Sequence, residues 1–265
     1  MFTKLWNGKK PVIGMVHLKA LPGSPRYLGH LEEIYDLALR DAEALAEGGV
    51  DAVQIENQFD TPYHIGSEIG AETVAFLTVA ATAIKARFPE LPLGINVHLN
   101  GAIQAMAIAK AVGADFIRCF NLMNAYISNS GYIGAAAPEL LRYRAAIDAK
   151  DIMVFGDFQV KHGSHAITAD RSLQEKAHDI QTSGADAAIL TGSATGIAPD
   201  TALICEIKQR LSIPLLIGSG LNAKNAAALW QYADGAIIGS GFKRDGNLSA
   251  PVDRELVKAF IKLIR

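Results

Sequence analysis

Six side chains in this sequence could move protons or hold charge together if the fold gathers them: His17, Glu56, His98, Arg118, Asp157 and Lys161. Two carboxylates in different environments can share the work of general acid and general base. Imidazoles can donate to a leaving oxygen or an enolate. An arginine can hold a carboxylate ionised or bind an anionic substrate. Lys161 could pair with substrate charge or, less favourably, form a Schiff base; it could also be a solvated loop lysine. A second signal is a repeated tetrapeptide, Ile-Gly-Ser-Gly, at 217–220 and again at 238–241. Glycine lets the main chain approach an anion and serine adds a hydroxyl. Gly218, Ser219, Gly220, Gly239, Ser240 and Gly241 are therefore candidates for a phosphate cradle. Gly-Ser-Gly is also an ordinary loop, so the weight rests on two copies closing two successive apolar runs.

These residues need elements to position them, and the chain supplies an alternating series. Strand-like apolar runs lie at 12–17, 51–56, 92–98, 115–120, 152–157, 186–191, 214–218 and 235–239. Helical patterns follow at 31–47, 68–87, 101–112, 138–149, 172–183, 200–210, 223–232 and 253–264. Eight strand–helix units over 265 residues predict one domain, a (β/α)8 TIM barrel, with a doubly wound open sheet as the alternative. No linker-like stretch divides the chain.

An internal repeat supports this. Gly-Val-Asp-Ala at 49–52, Gly-Ala-Asp-Phe at 113–116, Gly-Ala-Asp-Ala at 184–187 and Tyr-Ala-Asp-Gly at 232–235 each precede an even-numbered strand. Glycine suits the left-handed helix C-cap, and the aspartate opens the strand. Three odd strands open instead with Pro11, Pro92 and Pro214. Counting six residues from each odd start reaches His17, His98, Asp157 and Gly220; counting five from the even starts reaches Glu56, Phe120, Thr191 and Gly239. All fall at C-terminal strand ends, where barrel enzymes place their sites. Side-chain alternation turns Gln54, Glu56, Asn96, His98 and Arg118 toward the lumen. Asn57, Asn96, Thr191 and Gly192 complete the expected substrate-binding set, with the loop at 191–196 extending the cradle. The bland alternative for Glu56 and Arg118 is a structural salt bridge.

Two loops read as covers. One spans Asn121–Pro138 and carries Tyr126 and Tyr132; the other spans Gln159–His165 and carries Lys161, His162 and His165. Neither His-x-His nor His-Glu-x-x-His spacing is present, so no metal and no cofactor is expected. Half of the residues are hydrophobic, a fifth are charged, and the net charge is −2 with both signs dispersed. That composition predicts a large core and argues against nucleic-acid binding. Cys119 and Cys205 read as reduced thiols. The opening MFTKLWNGKK is not a secretory signal and no run is long enough to span a membrane, so the expected location is the cytoplasm. Homo-oligomerisation is left open.

The stretch Pro11-Val-Ile-Gly-Met-Val-His-Leu-Lys-Ala-Leu-Pro-Gly-Ser-Pro-Arg-Tyr27 resembles the opening of the BtpA family, which includes the SgcQ-like proteins. The resemblance continues through residues 49–57, 94–98, 139–144, 160–163 and 190–192, over nearly the whole chain. It implies a barrel fold. It also implies either a role in photosystem I accumulation or, through the SgcQ-like members, a nucleosidase activity, without a catalytic set that transfers. The family's fourth-strand loop usually carries acids; here 128–134 has none. The expected function is acid/base chemistry on a small phosphorylated molecule, a sugar phosphate or nucleotide-like compound. The expected activity is that of a nucleosidase-like hydrolase, with an aldolase-type lyase, an isomerase or a non-catalytic assembly factor as alternatives.

Overall fold

The computed structural model describes residues 1–265. In chain order the elements are α1 (Phe2–Leu5), β1 (Val12–His17), α2 (Leu31–Gly48), β2 (Ala52–Glu56), α3 (Ala71–Arg87), β3 (Leu93–Asn96), α4 (Ala102–Val112) and β4 (Phe116–Cys119). They continue with β5 (Tyr126–Ser128), β6 (Gly131–Ile133), α5 (Ala137–Ala146), β7 (Met153–Gln159), α6 (Leu173–Thr182), β8 (Ala187–Leu190) and α7 (Thr201–Arg210). The last are β9 (Leu215–Ile217), α8 (Ala226–Leu229), β10 (Gly235–Ile238) and α9 (Arg254–Ile264). Eight parallel strands close on themselves in the order β1-β10-β9-β8-β7-β4-β3-β2, while β5 and β6 form a separate antiparallel hairpin. Because β1 pairs with both β2 and β10, no open edge remains and the doubly wound alternative is excluded. The fold is the (β/α)8 barrel.

Alternation sorts each strand's residues into two cores. Val53 and Ile55 of β2 and Ile117 of β4 join a 54-residue layer between strands and helices. Ile13, Met15, Ala52, Phe116, Met153, Phe155, Ile189, Leu216 and Ile237 fill the lumen. The short α1, which the sequence pattern does not signal, plugs the floor. Phe2 and Trp6 meet Phe155 and Phe116 with ring centroids 5.9 and 6.2 Å apart. The lower barrel is thus a packed apolar core, and polar side chains concentrate at the opposite, C-terminal end.

The repeated aspartates explain the two-unit period. Asp51, Asp115, Asp186 and Asp234 each accept a backbone N–H within the first three residues of the neighbouring odd run: Val12 at 2.8 Å, Leu93 at 2.9 Å, Val154 at 2.8 Å and Leu215 at 2.7 Å. Each also meets a helix-borne or terminal cation: Arg265, Lys85, Arg144 and Lys208 respectively. Each carboxylate therefore both closes a strand start and ties it to the outer layer. Gly49 and Gly113 take the left-handed C-cap conformation at φ 91° and 70°, as their position predicts.

Two departures concern the mouth. The helix expected at 223–232 is the short α8 followed by a 3-10 turn, Trp230–Tyr232. The long Asn121–Pro138 cover contains the β5–β6 hairpin, whose turn is fastened by Ser128 Oγ donating to the Gly131 carbonyl at 3.1 Å. No helix is long and apolar enough to cross a membrane.

Candidate active site at the barrel mouth

His17, Glu56 and Asn96 are the last residues of three neighbouring strands and lie side by side in register. Asn96 Nδ2 donates to Glu56 Oε2 at 2.7 Å. His17 Nε2 stands 3.4 Å from Oε1, and His98 Nε2 stands 3.5 Å from Oε2. Glu56 is thus flanked by two imidazoles, each slightly beyond hydrogen-bond length. Burial alone would raise its carboxyl, but the His98 and His17 imidazoles outweigh burial and hold it well below the usual range. Burial pushes His17 down, against the pull of Glu56, and the charge of Lys243 adds to the depression. Glu56 is therefore a carboxylate at neutral pH.

Arg118 does not pair with Glu56. It makes a two-pronged bond to Asp157, Nε to Oδ1 at 2.8 Å and Nη2 to Oδ2 at 2.7 Å. The reason is strand order: β4 lies against β7, whereas β2 is two strands away. This also corrects the expected role of Asp157. Its side chain is 0% exposed and both oxygens are engaged, so it is not a second acid/base group open to substrate. Burial raises its carboxyl, and the guanidinium pulls against that shift.

Asn57 is likewise committed. Its Oδ1 accepts the His98 N–H at 2.8 Å and its Nδ2 donates to Asp60 at 2.9 Å, so it sets the height of His98. Thr191 Oγ1 donates to the Gln159 carbonyl at 3.1 Å. Gly192 lies directly under the Ile197 carbonyl, 2.2 Å from where a Cβ would stand.

The two glycine–serine bends both border the mouth. A Cβ on Gly218 would come within 3.4 Å of Arg118 Nη2, and one on Gly239 within 2.8 Å of His17 Cε1. Glycine at these two positions leaves room for Arg118 and His17. The bends differ above that level. Ser219 donates to the Ile197 carbonyl at 3.3 Å, and Gly220, at φ +75°, lies beneath the Ile197–Ala198 backbone. The first bend is therefore covered by the 191–200 loop. The second opens a 3-10 turn, Ser240–Phe242, and is half-buried.

A cavity of about 400 Å³ sits above these groups. Glu56, His98, Arg118 and Lys161 reach it from below, and Tyr126, Ser128 and Asn129 of the hairpin wall one side. Tyr63, which the sequence reading missed, stacks on His98 at 4.7 Å, and Phe120 meets the same ring edge-on at 4.8 Å. Neither glycine–serine bend lines this cavity. The hairpin is fixed to the Lys161 loop: Ile127 and Ser164 exchange two backbone hydrogen bonds of 3.0 and 2.8 Å. The alternation Tyr126-Ile-Ser and Gly-Tyr-Ile133 was the available signal for it. Gln54, one lumen layer below Glu56, has neither amide atom paired, and both nitrogens of His98 and Nδ1 of His17 also lack hydrogen-bond partners. No group of three or more His, Cys, Asp and Glu side chains is arranged to hold a metal ion.

Residues 8–265 match the BtpA family. An uncharacterized protein of Archaeoglobus fulgidus is 42% identical over 95% of this chain and 98% of its own. An uncharacterized mitochondrial protein of Caenorhabditis elegans is 34% identical over 98% and 95%. The photosystem I biogenesis protein BtpA of Synechocystis is 37% identical over 95% and 87%. Among solved structures, the tryptophan synthase alpha chain of Legionella pneumophila superposes with a TM-score of 0.62 at 14% identity, covering 99% of this chain and 94% of that one. The N-(5'-phosphoribosyl)anthranilate isomerase of Pyrococcus furiosus gives 0.57 at 16%, covering 96% and 98%. The chain belongs to the BtpA family, and its fold is that of these barrels.

Proposed function

We propose that this BtpA-family barrel is an enzyme that moves a proton to and from a carbon of a small phosphorylated compound, an isomerase- or lyase-type activity seated at the barrel mouth. The reading rests on the asymmetry of the two mouth carboxylates: Glu56 lines the cavity, and Asp157 is closed off by Arg118. Hydrolysis of a glycosidic bond by paired carboxylates needs an acid and a base or nucleophile at the same bond. With Asp157 engaged, that reading loses its second group, so the nucleosidase expectation is set below the lyase or isomerase alternative. Proton abstraction beside a carbonyl needs one ionised base, Glu56, and a donor to the oxygen that gains charge. His98 and His17 flank the base for that purpose.

The phosphate end is assigned to the Gly239–Gly241 bend. The bonds of its 3-10 turn begin with Phe242 N–H to Gly239 and Lys243 N–H to Ser240, which leaves the earlier N–H groups outside the turn's own bonding. Support from the similar barrels is at the level of fold: one is named for a phosphoribosyl compound. A role confined to photosystem I fits the family less well, because a relative of similar length occurs in a nematode.

The test is incubation of the purified protein with sugar phosphates and nucleotides in deuterated water, followed by nuclear magnetic resonance. Exchange of a carbon-bound hydrogen in at least one compound, lost in Glu56→Gln, is the expected result. Release of free base without exchange, or full exchange by Glu56→Gln, would overturn the reading.

A further inference from the structure

The charges around the cavity do not cancel pair by pair. Glu56 is the one acidic residue lining it, against Arg118, Lys161, His98 and His162. Asp157 neutralises Arg118 from below. Lys161 has no such partner: its ammonium makes no hydrogen bond, and no carboxylate lies within 4.0 Å of it, although it is half-buried. Burial, and then the Arg118 charge, push the amine down; Glu56 and Asp157 pull it upward only from a distance. An amine in that position gains stability from an anion brought to it.

The neighbouring residues give the location a shape. His162 Nε2 accepts the Thr195 N–H at 3.1 Å, which places the neutral ring's proton on Nδ1 as a donor. Thr195 lines the same cavity. The next residue, Gly196, has its Cβ position 3.7 Å from Ser240 Oγ. The Lys161–His162 end of the mouth and the Ser240 bend are therefore separated by roughly one peptide unit and its contacts, on the order of 10 Å. A chain of three to six carbons bridges that span.

We propose that Lys161, with Arg118 and His162 beside it, binds a carboxylate, so that the substrate is a phosphorylated carboxylic acid and not a neutral sugar phosphate. This rests on the phosphate assignment at the Ser240 bend. It also places the carboxylate in the cavity that Glu56 lines.

Matched probes test the idea without knowledge of the natural substrate. 6-Phosphogluconate and sorbitol 6-phosphate differ only in a carboxylate against a hydroxymethyl group, and 3-phosphoglycerate and glycerol 3-phosphate form a shorter pair. Titration calorimetry should show at least one acid binding ten-fold or more tightly than its alcohol. Lys161→Gln should remove that preference with the alcohol's affinity unchanged, and Lys161→Arg should keep part of it; unliganded melting temperatures check that both variants fold. Equal binding of acid and alcohol by the unaltered protein overturns the carboxylate site and leaves the phosphate assignment standing. No binding by either pair, nor by inorganic phosphate, removes the phosphate assignment and this inference with it. Covalent capture of Lys161 by a 2-keto acid under borohydride overturns the ion-pair role in favour of a Schiff base.

Discussion

Both rims of this barrel carry acidic side chains, and they are treated in opposite ways. At the N-terminal rim, Asp51, Asp115, Asp186 and Asp234 each take a strand N–H and a cation. At the C-terminal rim, Glu56 has one short hydrogen bond, from Asn96, and two imidazoles held just outside bonding distance. His98 has no hydrogen-bonded ring nitrogen, and Gln54 no bonded amide atom. Buried polar groups without partners each cost about 1–3 kcal/mol, so a fold that saturates the acids of one rim and leaves Gln54, His98 and His17 atoms of the other unpaired places most of that cost beneath the cavity. Residue type alone does not separate structure from chemistry here; the degree of saturation does. The Arg118–Asp157 pair sharpens the point, because it sits at the mouth yet is bonded like the lower rim.

The largest effect should come from breaking that pair. Arg118→Met leaves the Asp157 carboxylate buried and unpaired, and unfolding in urea should show a loss of about 3–5 kcal/mol. Arg118→Met combined with Asp157→Leu should recover most of it. A single-variant loss below about 1 kcal/mol would mean the pair is not structural and the contrast between rims fails at its boundary.

Glu56→Gln should do the reverse: a stability loss smaller than that of Arg118→Met, and hydrogen exchange into substrate slowed by roughly 10²- to 10⁴-fold. Thermal melts of the variant beside the exchange assay check both halves. A large stability loss with exchange retained would place Glu56 with the lower-rim carboxylates.

A lower-rim aspartate has no such second life. Asp115→Ala removes a charge-assisted bond to the Leu93 N–H and the partner of Lys85, and should cost about 1.5–3 kcal/mol in urea. Its substrate exchange rate at a temperature where it is folded should equal that of the unaltered protein. A reduced rate would show that the two rims communicate.

The elements were legible in the sequence because periodicity and punctuation agree: all eight barrel strands lie at the expected runs, and the four Gly/Ala-Asp repeats mark the even ones. The aspartates were read as strand openers; that each reaches across to the preceding odd strand is set by register, which no single run encodes. The gathering of His17, Glu56, Asn96 and His98 followed from counting and parity. Arg118 was assigned the wrong partner because counting gives height but not which strands touch; adjacency of β4 to β7 decides for Asp157. The hairpin was hidden because strands of three residues carry too little alternation to stand out from a polar loop. The cover over Gly220 was hidden because it depends on how the 191–200 loop folds back, not on the bend itself.

The smallest expected effect concerns pH, and it separates two of the mouth groups, His17 and Glu56. Burial keeps His17 neutral in the fold, so the unfolded chain binds its proton first. Stability is then full above the ordinary histidine value of about 6.5 and declines as pH falls from there toward the depressed folded value. Glu56 is also depressed, so its contribution is present above the ordinary carboxylate value of about 4.3 and is lost as pH falls through the folded one. Both changes have the same sign, but they occupy successive windows. Urea unfolding from pH 8 to pH 3 should therefore show a shallow decline beginning near 6.5 and a steeper one below about 4.3. His17→Gln should flatten the upper step and leave much of the lower. Parallel curves for the two proteins between pH 6.5 and 5 would show that His17 is not held neutral by the mouth, and would return it to the ordinary histidines of the surface.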